Sequence, residues 1–341
     1  KSYGTVIIDE ASMLTLDMMA ALFECIKKSR RIILVGDTRQ LPSIGAGRPF
    51  VDICNYFKSY EEKNNKTLLC ELKVINRQKD NNKESRLDTK LASWFSGGEI
   101  LPTDDYIFDE INSDNKHSSL EFVSWEDEED FYKKLEEIMV KELQLKDIDD
   151  VDGFNKSLGA TEYKGKTYFN LGAAEHIEDW QIISPIKNPM FGCNTINHWI
   201  HSVFRESTIK NSSKTYNRKL PKPLGNDQIV YSDKVINVMN SRYDCYSREE
   251  GKIRGYLANG EIGVVVDGFK NKDYTNIEFS TQQGYKYGFT SKNFNEESDE
   301  IPLELAYGIT VHKSQGSQFK KTILVIPKNC RLLSREMIYT A

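Results

Sequence analysis

No two of the six cysteines, at positions 25, 54, 70, 193, 245 and 330, form a Cys-x-x-Cys pair. In a chain of 341 residues that scatter argues against a disulfide scaffold and a zinc ribbon, and it points to a reducing, cytoplasmic setting. Long apolar runs are missing too. The longest buried-looking ones are Val6-Ile7-Ile8 and Ile32-Ile33-Leu34-Val35, far short of the ~18 residues that span a bilayer, so no membrane partner is expected. No secretory leader pattern opens the chain, and no internal repeat is visible. The first residue is Lys1 rather than Met, and the last three, Tyr339-Thr340-Ala341, stop in mid-pattern; the sequence reads as a fragment. What remains is ordinary globular material, 39% hydrophobic and 28% charged, enough for about two to three domains.

Neither sign of charge dominates the total of 46 Lys+Arg against 51 Asp+Glu, net -5, but the distribution is uneven. Residues 99–152 hold 19 acids and five lysines, a local -14, so the other 287 residues carry +9. A polyanionic partner responds to the local patch rather than to the total. The acidic stretch, including Glu126-Asp127-Glu128-Glu129-Asp130, reads as a solvated face or an inserted loop. Lys210, Lys214, Arg218, Lys219 and Lys222 have no acid between them. That run is either a flexible basic linker or a loop that contacts phosphates.

Residues 5–8 form a short continuous apolar run, as expected of a strand buried on both faces of a parallel sheet. Residues 15–28 carry apolar side chains at helical spacing (Leu16, Met19, Ala20, Phe23, Ile26), with Lys27 and Lys28 at the negative end of the dipole. Residues 31–35 are the next buried strand, closed by Gly36-Asp37. Strand, helix, strand at this spacing is a βαβ unit. Further strands are predicted at 68–74 and 180–185, and helices at 85–95 and 192–204. Residues 112–119 and 147–172 read as loop-rich. Residues 226–300 change character: short β segments at 234–239, 261–266, 276–279 and 287–290, with turn signals at Asn259-Gly260 and Asp267-Gly268. The pattern is that of a small β-barrel inserted in a second α/β region, which resumes at 303–315 and 322–326.

The chemistry-bearing residues fall at the ends of the first two strands. Asp9-Glu10 ends the first, where the carboxyl edge of a parallel sheet presents ligand groups. Asp9 can hold Mg²⁺, usually through water, and Glu10 can accept a proton from an attacking water. An isolated Asp-Glu pair is most often structural. The next strand, however, ends in Gly36-Asp37-Thr38-Arg39-Gln40-Leu41-Pro42, where Gln40 can orient that water or touch a γ-phosphate. Two polar clusters on adjacent strand ends point jointly to a nucleotide site.

These segments resemble a family. Val6-Ile7-Ile8-Asp9-Glu10-Ala11-Ser12-Met13 is similar to motif II, the Walker B segment, of superfamily-one helicases. Residues 36–42, followed by Ser43-Ile44-Gly45-Ala46-Gly47, resemble motif III of the RecD-like branch. Asn76-Arg77-Gln78 resembles motif IV. Residues 181–185 and 194–197 resemble the segment that follows it. Ala306-Tyr307-Gly308-Ile309-Thr310-Val311-His312-Lys313-Ser314-Gln315-Gly316 resembles motif V, and Tyr339-Thr340-Ala341 the lead-in to motif VI. The resemblance covers essentially the whole chain, in order. It implies an α/β fold with two RecA-like parallel-sheet lobes, the first incomplete, and a small SH3-like β-barrel inserted in the second. The implied boundaries are 1–66 for the first lobe, 67–225 for the start of the second, 226–300 for the barrel and 301–341 for the return. It also implies ATP and Mg²⁺ in the cleft, single-stranded DNA or a single/double-strand junction across the top, 5′ to 3′ translocation, and nuclease or helicase partner subunits.

Residue by residue, the resemblance makes Glu10, Gln40 and Arg77 the candidate catalytic groups. Arg77 would reach the γ-phosphate, since an arginine is always charged and binds phosphate through two donors at once. Asp9, Asp37 and Gly316 become candidate ATP contacts, with Asp9 on the metal. Thr310, His312, Lys313 and Ser314 become candidate DNA-backbone contacts, because hydroxyls, imidazole and backbone N–H groups bind phosphate without reading sequence. Tyr243 and Tyr246, beside Arg242 and Arg248, suit stacking on single strands or belong to the barrel core or a loop. Two departures bear on activity. No Gly-x-x-x-x-Gly-Lys-Ser/Thr phosphate loop occurs, and motif V continues Gly316-Ser317-Gln318 where relatives often have Glu after Ser. The alternatives to a complete DNA motor are therefore a catalytically incomplete nucleic-acid-binding fragment, a partner-dependent subunit, or an RNA helicase of the same superfamily.

Overall fold

The first apolar run is β1 (Thr5–Ile8), and it pairs in parallel with β2 (Arg31–Leu34), Thr5 opposite Arg31 and Ile8 opposite Leu34. In this computed structural model, residues 4–72, 86–97, 105–112, 119–214, 220–266, 274–294 and 301–341 are described. They fall into two units, residues 1–123 with 333–341, and residues 124–332.

In the first unit, α1 (Leu16–Cys25) makes the crossover between the strands. It starts where the sequence places it, because the Thr15 hydroxyl accepts the Met18 N–H at 3.2 Å, satisfying a donor that the first turn leaves free. Next, α2 (Pro49–Asn64) opens on proline, whose missing N–H costs nothing there, and closes on Asn65 in the left-handed region at φ 51°. Two short helices, α3 (Leu87–Phe95) and α4 (Tyr106–Ile111), and the last helix, Arg335–Thr340, also belong to the described residues of this unit. The expected double burial of β1 and β2 does not hold. Ile7 is 66% and Ile32 40% exposed, because among the described residues the pair stands as a two-stranded sheet, each strand with one neighbour. Residues 68–72 carry no strand; the rest of that predicted strand, and Arg77 with it, lies outside the described residues.

In the second unit the acidic run 126–130 is not a loop but the start of α5 (Glu128–Glu142). The Asp127 carboxylate accepts the Asp130 N–H at 2.9 Å, and three acids in the first turn complement the helix dipole. The region read as loop-rich contains α6 (Val151–Ser157) and a hairpin of β3 (Thr161–Tyr163) and β4 (Lys166–Tyr168). Then β5 (Trp180–Ser184), buried throughout, leads to α7 (Cys193–Ser212).

The described residues between 234 and 305 supply seven strands: β6 (Lys234–Asn237), β7 (Ser241–Ser247), β8 (Gly251–Leu257), β9 (Ile262–Val266), β10 (Thr275–Phe279), β11 (Lys286–Phe289) and β12 (Leu303–Leu305). They form one antiparallel sheet in the order β12-β6-β9-β10-β11-β7-β8. This corrects the expected barrel: the sheet has two different edge strands, and among the described residues no pairing joins β12 to β8. Chain return follows through β13 (Gly308–Thr310), α8 (Val311–Ser314) and β14 (Lys321–Leu324). Both β13 and β14 flank β5 in parallel, with Gly308 and Ile323 opposite Ile182.

The core of this unit runs continuously from α5 and α7 to the inner face of the antiparallel sheet. At its centre the rings of Phe154 and Phe204 stack at 3.8 Å, and each buried aromatic side chain stabilises the fold by about 1.5–3 kcal/mol. The result is a mixed α/β fold with parallel pairs in both units.

Candidate nucleotide and nucleic-acid sites

Since β1 and β2 run parallel in matched register, Asp9-Glu10 and residues 35–40 leave the sheet at the same carboxyl edge. The backbone there is tied across: Val35 N–H donates to Ile8 O and Ala11 N–H to Val35 O, each at 2.8 Å. Asp9 is exposed, and one of its oxygens accepts the Glu10 N–H at 2.9 Å. Glu10 itself sits at φ 51° and ψ 38°. That left-handed conformation is uncommon for a residue with a side chain, and it turns the chain abruptly from the strand into the short helix Ala11–Met13. Gly36 follows β2 under a tight constraint, since a Cβ there would lie 3.0 Å from Ser12 N and 3.1 Å from the Phe50 ring.

The loop after Gly36 is organised around Asp37. One oxygen of its carboxylate accepts the Arg39 N–H at 3.0 Å and Arg39 Nε at 3.1 Å; the other accepts the Tyr339 hydroxyl at 2.7 Å. Partial burial alone would raise the Asp37 pKa, but the Arg39 N–H, the Tyr339 hydroxyl and the Arg39 guanidinium outweigh it and hold the carboxyl below its ordinary value. Arg39 also lies 5.4 Å over the Tyr339 ring, Leu41 N–H donates to the Thr340 hydroxyl at 2.7 Å, and Arg48 pairs with Glu336 at 3.1 Å. Gln40, half-buried, follows in the same turn, its N–H on Asp37 O at 3.3 Å. Thus Asp37 is engaged by protein donors, whereas Asp9 keeps one carboxylate oxygen with no partner among the described residues.

The second group of predicted residues lies in the second unit, at the end of β13. Thr310 caps α8, its hydroxyl accepting the Lys313 N–H at 3.4 Å. Lys313 Nζ donates to Glu304 at 2.7 Å, and Lys187 Nζ reaches the other oxygen of the same carboxylate at 3.2 Å. Burial would raise the Glu304 pKa, but these two ammonium groups pull it below the ordinary value. Ser314 points inward, buried, with its hydroxyl donating to Val311 O at 2.9 Å. His312 is half-buried, and burial lowers its pKa, so at neutral pH it offers an uncharged imidazole. Gly316 sits at φ +79°, and a Cβ there would meet nothing within 4 Å; glycine is needed for conformation, not for space. The strand beneath is locked from both sides. Asn197 Nδ2 donates to Leu305 O and Gly308 O, each at 2.9 Å, and Gln181 Nε2 donates to Ala306 O at 3.0 Å and Tyr307 O at 2.8 Å.

Sequence reasoning missed Tyr339, Thr340 and Glu304 as partners of these loops, and no spacing signal could have found them. It left Tyr243 and Tyr246 between two roles, and the structure separates the pair. Tyr243 is buried with its ring 4.8 Å from that of Phe289, whereas Tyr246 is 52% exposed. Among the described residues no three His, Cys, Asp or Glu side chains converge as a metal cage, and no helix is long and apolar enough to cross a membrane.

Two polar loops on one parallel strand edge, in a chain with a second parallel α/β unit, define a protein of the mixed α/β class. A family model described as an AAA domain matches residues 1–93. An uncharacterized protein of Methanocaldococcus jannaschii is 30% identical over 100% of this chain and 28% of its own length. The RecBCD enzyme subunit RecD of Buchnera aphidicola subsp. Schizaphis graminum is 26% identical over 98% of this chain and 51% of its length. That of Haemophilus influenzae is 25% identical over 98% and 48%. The crystal structure of Pif1 helicase from Candida albicans covers 99% of this chain and 69% of that one, at 14% identity and a TM-score of 0.43. The chain is thus similar along nearly its whole length to RecD subunits, and it spans about half the length of the RecD proteins it matches.

Proposed function

We propose that this chain is the central part of an ATP-dependent DNA helicase of the RecD-like type, moving 5′ to 3′ on single-stranded DNA. The observation that carries the reading is the shared carboxyl edge of β1 and β2, which brings Asp9, Glu10 and Gln40 out of the sheet together. Asp9 would hold Mg²⁺. An exposed carboxylate with one uncommitted oxygen fits a cation that keeps most of its water and takes its remaining ligands from phosphates, rather than one that needs an all-protein cage. When bound, that ion neutralises charge developing on the phosphates. Glu10 would take the proton of the attacking water, and Gln40 would orient that water. Asp37 would act by holding Arg39 and Tyr339, and so the loop that carries Gln40. Arg77, by resemblance, would supply a cation to the γ-phosphate.

In the second unit, Thr310, His312 and Lys313 would meet the DNA backbone at the end of β13, with Ser314 shaping the turn from below; Gly316 would contact ATP by resemblance alone. The relatives are subunits of the RecBCD enzyme, which supports partner subunits here; their helicase or nuclease type follows from the resemblance alone. Since no Gly-x-x-x-x-Gly-Lys-Ser/Thr phosphate loop occurs in these 341 residues, the chain alone should not hydrolyse ATP, because positioning and electrostatics supply nearly all of phosphoryl-transfer catalysis.

The test is Glu10→Gln in a protein that carries the complete ATP site. Turnover should fall by roughly 10²–10⁴-fold while nucleotide binding persists, because only basicity is lost. Turnover within threefold of the unmodified protein would remove Glu10 from the mechanism.

A further inference from the structure

The hairpin of β7 and β8 is not visible in the sequence pattern, and it presents a face that the proposed catalytic cycle does not use. Along β7, Tyr243, Cys245 and Ser247 point inward and are buried, while Arg242, Asp244 and Tyr246 point outward. Along β8, Lys252, Arg254 and Tyr256 alternate outward in the same way. The antiparallel register sets these six in three cross-strand pairs: Arg242 opposite Tyr256, Asp244 opposite Arg254, and Tyr246 opposite Lys252. On the next strand Lys286 stands opposite Tyr246. The face therefore interleaves two tyrosines with four cations and one acid.

Neither tyrosine is there to fill the core. Tyr246 is 52% and Tyr256 49% exposed. Their backs are already closed by the inner row, where Tyr243, Cys245, Ile253 and Leu257 join the core. The inner packing is tight enough that Gly255 has no room for a side chain, since a Cβ there would lie within 3 Å of the Tyr287 ring. The single acid, Asp244, is held by Lys252 at 3.1 Å and Arg254 at 3.9 Å, and Arg254 also donates to Arg242 O at 3.1 Å. Four residues along β7 separate Arg242, and with it Tyr256, from Tyr246. The backbone positions that carry the two rings are thus about 14 Å apart across the face, by the ordinary rise and spacing of strands. The acids at the hairpin tip, Glu249 and Glu250, lie beyond the paired rows.

We propose that this outer face is a stacking platform for single-stranded nucleic acid, with Tyr246 and Tyr256 receiving bases and Arg242, Lys252 and Arg254 receiving the phosphates between them. An extended single strand alternates flat apolar bases with fixed negative charge, and the face alternates rings with cations at matching order. A duplex hides its base faces and would meet only the cations. Stacking of this kind tolerates any sequence, because every base has a π-face. The proposal rests on the reading above only in its choice of single-stranded nucleic acid as partner. It assigns a second contact region on the antiparallel sheet, away from the end of β13.

The experiment measures binding of fluorescein-labelled oligothymidylate, and of an abasic phosphodiester chain of equal length, by fluorescence anisotropy with this chain. The unmodified chain should bind oligothymidylate more tightly than the abasic chain. Tyr246→Ala and Tyr256→Ala should each weaken oligothymidylate binding by about fivefold or more and narrow that gap, while Tyr246→Phe and Tyr256→Phe keep it. Arg242→Ala and Lys252→Ala should weaken both polymers alike and lower the salt dependence by about 0.7 per lost contact. Since these positions are exposed, the fold should survive every variant, and circular dichroism checks it. Alanine variants that keep the full preference for bases would overturn the platform. If His312→Ala weakens binding while the tyrosine variants do not, the platform fails and the wider reading stands. If the unmodified chain binds neither polymer, both fail.

Discussion

Lys234 provides the sharpest test of how the second unit is held together. It lies in β6 opposite Val264, and its side chain is fully buried. Its ammonium donates to Trp180 O at 2.7 Å and sits 4.9 Å from the centre of the Trp180 ring. Among the described residues no carboxylate pairs with it. A charge removed from water with a single oxygen for company is costly. Burial accordingly pushes the amine down from 10.5 to about 7, against the weaker pull of Glu178 and Asp179 from outside.

The sign of the pH effect follows. The folded chain gives up this proton near pH 7, whereas an unfolded lysine keeps it until about 10.4. Between those values the unfolded state binds more protons, so folding stability rises with pH. From pH 7 to pH 9 the rise attributable to Lys234 is about 2 kcal/mol. Lys234→Met keeps the stem that packs on Trp180 and removes the proton, so its stability should lack this slope, and at pH 7 it should match or exceed the original. The assay is urea unfolding under reducing conditions, followed by tryptophan fluorescence. Trp125, Trp180 and Trp199 all lie in this unit. The Cys193 thiol, which burial raises to about 11, opposes the trend from about pH 8, where unfolded thiols begin to ionise, but it is common to both proteins and cancels in the comparison of their slopes. Equal pH slopes for the two proteins would refute the reasoning.

Two further outcomes are expected. Tyr339→Phe removes one hydrogen bond to Asp37 and leaves the ring beneath Arg39; it should cost about 1 kcal/mol locally and speed amide hydrogen exchange at Arg39 and Leu41, and unchanged exchange there would mean that the last helix does not hold the loop. Glu304, whose pKa is lowered by Lys313 and Lys187, contributes stability that is fully present above the ordinary glutamate range and is lost as pH falls through its lowered value, so Glu304→Gln should flatten the acid limb of the stability profile, and an unaltered acid midpoint would count against that pair.

Local sequence is most informative where one short segment decides the structure alone. Thr15 caps α1 through its own hydroxyl, and the runs at Thr5 and Arg31 are strands because β-branched residues crowd there, whereas α2 goes unread despite the proline at its start. The hairpin of β7 and β8 escapes notice because its inward positions include Cys245 and Ser247, too weakly apolar to show a period of two. The expected barrel gives way to an open sheet because closure depends on edge pairing between β12 and β8, which no local pattern encodes. The same limit applies to the sites. Glu10 and Gln40 are visible as strand ends, but the hydroxyl that holds Asp37 comes from a residue 302 positions later.

The strand beneath the motif V residues shows why such partners matter. Tyr307 stands one residue before β13, and its hydroxyl donates to Asp233 at 2.7 Å. The same buried carboxylate accepts from His201 at 2.9 Å and from Val230 N–H at 2.7 Å, with Arg205 Nε 3.4 Å away. Arg205 in turn donates to Asn155 at 2.9 Å and Ser232 O at 2.8 Å. A buried charge so compensated adds little net stability, yet removing one partner costs about 3–5 kcal/mol, because it leaves the rest uncompensated. The network therefore acts less as an energy source than as a constraint, admitting one position for Tyr307 relative to α7. Through the two residues that follow, that position fixes where β13 ends and Thr310 begins its cap. The sequence shows the tyrosine within the motif; only the fold shows that a carboxylate from the start of the antiparallel sheet sets the tyrosine in place.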